Sequence, residues 1–154
     1  MSNVIWFLTG NQGKLVEAER HLSQIGYSVK QLIVDLELIY EPQADDLITV
    51  AKSKINQALN VIPDDFSDGD MILVEDAGLF VDALHGFPGV YSSFVHSTIG
   101  NAGILRLLSH LNSADPVSSA NLRSAHFKAC LLYTSPSPRD KRNLVCRLLL
   151  EKKK

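Results

Sequence analysis

The sequence predicts an α/β fold with helices lying on a sheet. Short apolar, β-branched segments alternate with segments of helical period, the connections between them are short, and glycine, proline or acidic loops fall at their ends. With 154 residues, 45% of them hydrophobic and 21% charged, the chain has material for one globular domain with its own core.

"NVIWFLTG", residues 3–10, is a β-branched and aromatic run ending in glycine, which predicts a buried strand. "NQGKLVEAERHLSQIG" then places Leu15, Ala18, His21 or Leu22, and Ile25 at helical spacing and stops at Gly26. A second strand is expected through "YSVKQLIVDLELI", and after "YEPQADD" a second helix through "LITVAKSKINQALNVI", ended by Pro63. "DDFSDGD" reads as a loop and "MILVED" as a third strand ending in two carboxylates. "GLFVDALHGFPGVYSS", residues 78–93, reads as a hairpin-rich loop, "TIGNAGILRLLSHL" as a helix, "NSADPVSSANLR" as a loop and "SAHFKACLLY" as a strand. No internal repeat is visible.

Composition narrows the function. No apolar run reaches the roughly 18 residues of a membrane span, and the N-terminus lacks the basic flank and cleavage site of a secretory leader. A cytoplasmic protein that does not contact a membrane is the expectation. Cys130 and Cys146 both lie late in the chain, and the five histidines show no metal-ligand spacing. Residues 1–129 hold 8 Lys/Arg and 15 Asp/Glu, a balance of -7, whereas residues 130–154 hold 7 and 2, a balance of +5. An acidic body argues against nucleic acid as partner and suits a small anionic substrate carried with a divalent cation.

Three stretches carry candidate chemistry, and each also has a purely structural reading. "TGNQGK", residues 9–14, sits at a strand-to-helix junction, where free N–H groups and the helix dipole attract an anion. Gly10 and Gly13 let the backbone come close, Lys14 can pair with phosphate oxygens, and Asn11 can add its amide. The spacing differs from a Walker A loop, and Leu15 stands where a magnesium-binding hydroxyl would. A plain turn with a solvated lysine is the alternative.

The second stretch is acidic: Glu41, and the adjacent Glu75 and Asp76. Neighbours on a strand point to opposite faces, so at most one of the latter pair faces a given site. Carboxylates at a sheet edge near a phosphate-binding helix start suit Mg²⁺, and one could activate water; solvated strand-end acids are the alternative. The third stretch is residues 78–93, where Gly78, Gly86, Pro88 and Gly89 bend the backbone and Phe87 and Tyr91 can stack.

Together "FLTGNQGK", "VEDAGLFVDALHGFPGVYSSFV" and "TIGNAGILRLL" closely resemble the inosine triphosphate pyrophosphatase family, the HAM1-like nucleoside triphosphate pyrophosphatases, over residues 3–129. The resemblance implies a two-lobed mixed sheet bordering a central nucleotide cleft, in a homodimer when complete. The implied reaction is Mg²⁺-dependent hydrolysis of ITP, dITP or XTP to the monophosphate and pyrophosphate, which cleans the nucleotide pool. By motif, Thr9, Gly10, Asn11 and Lys14 would hold the triphosphate, and Glu41 and Asp76 would serve the magnesium. Asp76 would orient or deprotonate the attacking water with help from Glu75, and Gly89 and Ser92 would line the cleft. Lys54 or Lys52 would add a phosphate contact, with spacing alone leaving the choice open. Other readings are a related pyrophosphatase for modified pyrimidine nucleotides and a non-catalytic nucleotide-binding module.

The stretch "HFKACLLYTSPSPRDKR", residues 126–142, starts like a strand and turns into a Ser-Pro, Arg-rich tail. The family's later aromatic-Asp-Pro loop and Ser-His-Arg segment, which select the base, are absent. "CLLYTSPSPRD" and "LVCRLLLEKKK" read instead as in-frame translations of sequencing-library adapter and an A-rich run. The expectation is an N-terminal portion of the enzyme domain in residues 1–129, a non-native tail in 130–154, and a truncated chain that is inactive. If the tail were genuine, a third reading would be a basic segment that binds nucleic acid.

Overall fold

A computed structural model describes residues 3–34, 40–111, 115–135, 145–148 and 152–153. Strand β1 (Val4–Leu8) leads into helix α1 (Gln12–Leu22), a 3₁₀ turn over Ser23–Ile25 and strand β2 (Ser28–Gln31). Helix α2 (Leu47–Ala58) precedes the long strand β3 (Met71–Val81) and the two-residue β4 (Pro88–Gly89). Helices α3 (Ser92–Thr98), α4 (Gly100–Leu107) and α5 (Pro116–Leu122) follow, then β5 (Ala125–Thr134), β6 (Val145–Leu148) and β7 (Lys152–Lys153).

All seven strands join one mixed sheet in the order β2-β1-β3-β5-β6, with β4 on β3 and β7 on β5. β1 is parallel to β2 and β3, while β3 and β5 are antiparallel over ten paired positions, from Val81↔Ala125 to Ile72↔Thr134. The mixed α/β expectation therefore holds. The two faces of one end follow the period-2 alternation. Trp6, Leu8, Ile72, Val74, Cys130 and Leu132 pack on one face against Leu47, Ala51 and Ile55 of α2. Ile5, Phe7, Leu73, Leu131 and Tyr133 lie on the other face against Leu15, Ala18 and Leu22 of α1. At the far end of β3 and β5, Val81, Val95, Ile104 and Leu108 form a second core with α3 and α4. The two long strands thus tie two lobes together.

Several elements depart from their expected bounds. The expected strand over residues 27–39 is limited to Ser28–Gln31, because its partner β1 ends at Leu8; the last ladder bond is Leu32 N–H to the Phe7 carbonyl, 2.9 Å. Residues 35–39 lie outside the described residues. β3 does not end at the carboxylates but runs five residues further, since β5 pairs with it throughout. α2 stops at Ala58 rather than at Pro63. The expected helix over residues 98–111 is two helices that begin earlier and meet at Ile99, just before Gly100 with φ of 62°. The expected loop 112–123 contains α5, started by proline in the first helical position and by Asp115 Oδ2 accepting the Ser118 N–H at 2.8 Å. The boundary expected near Ala129 falls inside β5, whose Cys130 and Leu132 are fully buried.

Candidate active site at the end of β1

β1 pairs with β3 only as far as Leu8↔Val74, and β4 joins the same side of β3 only from Leu79↔Gly89. Residues 75–78 of β3 therefore have no strand beside them on that edge among the described residues. The resulting notch opens onto residues 9–14, which leave β1 and enter α1. This is the sheet's cleft, and the candidate residues gather around it.

Asn11 is the N-cap of α1, its Oδ1 accepting from the Gly13 N–H at 2.9 Å and the Lys14 N–H at 3.3 Å. These two amides are consequently engaged, which corrects the expectation that the helix start is wholly free for an anion. The Asn11 side chain is itself fixed from behind, because its backbone N–H donates to Thr9 Oγ1 at 3.1 Å. The Thr9 carbonyl accepts from Gln31 Nε2 at 2.7 Å, tying the turn to β2. Gly13 keeps room for the cap, since a Cβ there would come within 3.1 Å of Asn11 Oδ1. Gly10 lies in the exposed turn.

Glu75 and Asp76 point to opposite faces, as strand geometry requires. On the α1 face, Lys14 Nζ lies 3.4 Å from Glu75 Oε1. On the α2 face, Lys54 Nζ is 3.1 Å from Asp76 Oδ1 and 2.7 Å from Glu41 Oε1. Lys54 reaches the carboxylates, and Lys52, two residues away on the helix, is exposed on another side. Sequence reasoning missed what positions Glu41. Gln57 brackets Tyr40, accepting its N–H at 2.7 Å and donating to its carbonyl at 2.6 Å, so α2 fixes the backbone beside Glu41. The i, i+4 pair Ser53 and Gln57, which bond to each other at 3.0 Å, was the available signal.

Electrostatics distinguishes the partners. Burial pushes the Asp76 carboxyl above its ordinary value; the attraction and hydrogen bond of Lys54 oppose this, and the charge of Glu41 reinforces it. For Lys54 burial works against the charge, but the Glu41 hydrogen bond and the two carboxylate charges outweigh it and raise its pKa. One cation between two anions remains firmly charged, while the more buried anion bears the desolvation cost. Asp76 Oδ2 is buried with no hydrogen-bond partner among the described residues.

Gly89 and Ser92 belong to the upper wall of the notch. Ser92 Oγ accepts from the Leu79 N–H at 2.7 Å and donates to the Gly89 carbonyl, clamping β4 and the start of α3 onto β3. Gly89 has φ of 57°, and the Cβ of any residue at 78 would run into its carbonyl oxygen. Gly78 is thus required by close backbone packing, and Gly89 by its positive φ.

No three His, Cys, Asp or Glu side chains among the described residues form a metal cage. Mg²⁺ does not need one, because it keeps waters and binds through one or two carboxylates together with substrate phosphates. Hard oxygen donors, an orphaned buried oxygen on Asp76, and a cation already drawn between Asp76 and Glu41 fit such an ion.

The chain is similar to known proteins in both sequence and fold. The family model described as Ham1 family matches residues 5–147. The dITP/XTP pyrophosphatase of Thermococcus kodakarensis is 40% identical over 127 residues, covering 82% of this chain and 59% of the relative. That of Pyrococcus horikoshii is 36% identical over 127 residues, with the same coverage of 82% and 59%. The chain thus spans between half and three-fifths of the length of these relatives. Among solved structures, the Ham1 protein of Staphylococcus aureus superposes with a TM-score of 0.64 at 21% identity, covering 94% of this chain and 67% of that one. The nucleoside-triphosphatase / dITP/XTP pyrophosphatase of Mycobacterium abscessus gives 0.63 at 23%, covering 97% and 71%. Family match, sequence relatives and fold coincide, and the chain belongs to the Ham1 family.

Proposed function

We propose that this chain carries the phosphate-and-metal half of a nucleoside triphosphate pyrophosphatase acting on deaminated purine nucleotides such as dITP, ITP and XTP. The observation that carries the reading is the pairing of Lys54 with Asp76 and Glu41 beside the Thr9–Lys14 turn, in a chain whose relatives are named dITP/XTP pyrophosphatases. Lys14 holds the phosphates, with the positive end of the α1 dipole behind it. Glu41 and Asp76 hold Mg²⁺, which when bound supplies electrostatic stabilisation of the triphosphate charge.

In the hydrolysis, a water oxygen bonds to the α-phosphorus, the bond from that phosphorus to the α–β bridging oxygen breaks, and the water proton goes to the Asp76 carboxylate. Nucleoside monophosphate and pyrophosphate leave. A carboxyl with a raised pKa is better matched to that proton than an ordinary surface aspartate. Glu75 supports the reaction from the opposite face by fixing Lys14. Lys54, set between Glu41 and Asp76, would add a contact to the phosphates. The complete enzyme works as a cytoplasmic homodimer.

Mixing the chain with ITP and Mg²⁺ and following bound nucleotide and free pyrophosphate tests this. Nucleotide binding is expected, and absence of binding would overturn the site.

A further inference from the structure

The sheet face that bears Asp76 continues beyond it. Asp76, Gly78 and Phe80 alternate onto this face from β3, and Cys130, Lys128 and His126 of β5 stand opposite them in register. Gly78 contributes no side chain, so Lys128 is the side chain at that step, between the acidic site and Phe80. The Lys128 ammonium lies 5.0 Å over the Phe80 ring, and His126 stacks on the same ring at 5.8 Å with an interplanar angle of 11°. His126 is itself anchored, with Nδ1 3.4 Å from Asp82 Oδ1, while Asp82 Oδ2 accepts from Ser124 Oγ at 2.6 Å. Phe80 is backed by the glycine turns, since a Cβ at Gly86 or Gly89 would sit 3.5 or 3.3 Å from its ring.

The cations around the notch differ in their partners. Lys14 is paired with Glu75, and Lys54 with Glu41 and Asp76. Lys128 has no ion pair among the described residues and rests on an aromatic face, on the side of Asp76 away from the α1 turn. A partly buried lysine with no ion pair among the described residues, beside a fixed aromatic pair, suits a flat ring bearing an oxygen acceptor.

We propose that Lys128 meets the base end of the nucleotide and donates to the 6-oxo group of a purine, making it a specificity-determining residue within this chain. The inference rests on the phosphate site of the proposed function. A 6-oxo purine offers an acceptor to the ammonium. Adenine offers a 6-amino donor instead, which would leave two donors facing each other unpaired.

The test is titration of the chain, with Mg²⁺ present, by inosine diphosphate, adenosine diphosphate and inorganic tripolyphosphate. The chain is expected to prefer the inosine over the adenosine nucleotide by about tenfold, the size of one charge-assisted hydrogen bond. Lys128→Met should bring the ratio within about twofold, and Lys128→Arg should restore most of it. Tripolyphosphate binding reports separately on the phosphate site and on folding of the variants. An unchanged nucleotide ratio in Lys128→Met would overturn the proposal. So would an equal loss of tripolyphosphate affinity, which would make Lys128 a phosphate ligand. Failure of tripolyphosphate to bind the unmodified chain would instead remove the phosphate site, and this inference with it.

Discussion

Lys54 Nζ stands 3.1 Å from Asp76 Oδ1, while the second oxygen of the same carboxylate is buried and has no partner among the described residues. The contact is therefore one-sided, anchoring Asp76 at one oxygen and leaving the other for chemistry. Removing the anchor leaves a buried carboxylate beside Glu41 without its cation. Lys54→Met should lower unfolding free energy by about 3 kcal/mol, measured by urea denaturation at pH 7, and an unchanged midpoint would contradict the pairing.

Asp76 also gives stability a particular pH dependence. Its folded pKa is raised above 3.8, so its contribution is fully present below the unfolded value and is lost as pH rises through the folded one. Asp76→Asn should remove this loss and make the folded chain more stable than the unmodified one at neutral pH, while abolishing Mg²⁺-dependent nucleotide binding. Urea midpoints across pH 4 to 8 for both proteins would show it; parallel curves would refute it.

Asp70 should behave in the opposite sense. It is 4% exposed, and its oxygens accept from the Val4 N–H at 2.8 Å, the Ser67 N–H at 3.0 Å and Trp6 Nε1 at 3.2 Å. Burial raises its pKa, but the Ser67, Val4 and Trp6 hydrogen bonds together lower it below 3.8. The stability it provides is present above the unfolded pKa and is lost as pH falls through the folded one. Asp70→Ala should cost about 2 kcal/mol at pH 7 and flatten the acid limb of the stability curve, as read by tryptophan fluorescence. An acid limb as steep as that of the unmodified chain would count against this.

An open apolar groove of about 660 Å³ lies between α1 and the sheet, lined by Phe7, Leu22, Tyr27, Leu73, Leu131 and Tyr133, with Lys14 and Glu75 also on its wall. Apolar surface of this kind drives association. The chain should bind a hydrophobic dye in its native state and aggregate with rising concentration. A monodisperse, cooperatively melting protein without dye binding would be the contrary result. Cys130 and Leu132 fill the opposite face, so whatever the origin of residues 130–154, ending the chain at Ala129 should make matters worse.

Much of this was legible in the sequence because local signals agreed with the tertiary outcome. The apolar run before Gly10, the stop at Gly26, whose φ is 88°, and the opposite facing of Glu75 and Asp76 all follow from local rules. The continuation of β3 to Val81 was not legible, because a partner more than forty residues away supplies its pairing. Residues 78–93 look like a loop by their glycines, yet those glycines serve close approach between β3 and β4. Helix α5 was missed although Asp115 and Pro116 are ordinary helix-start signals. That Lys54 rather than Lys52 meets Asp76 and Glu41 depends on the orientation of α2, which the spacing from Glu41 alone does not fix.

Calorimetric titration of the chain with ITP, with and without Mg²⁺ and for the unmodified protein and Asp76→Asn, tests the metal-assisted site most directly. Binding that requires Mg²⁺ and disappears in Asp76→Asn is the expected result. Equal affinity with and without Mg²⁺, retained in Asp76→Asn, would contradict it and leave a nucleotide-binding module without catalytic machinery.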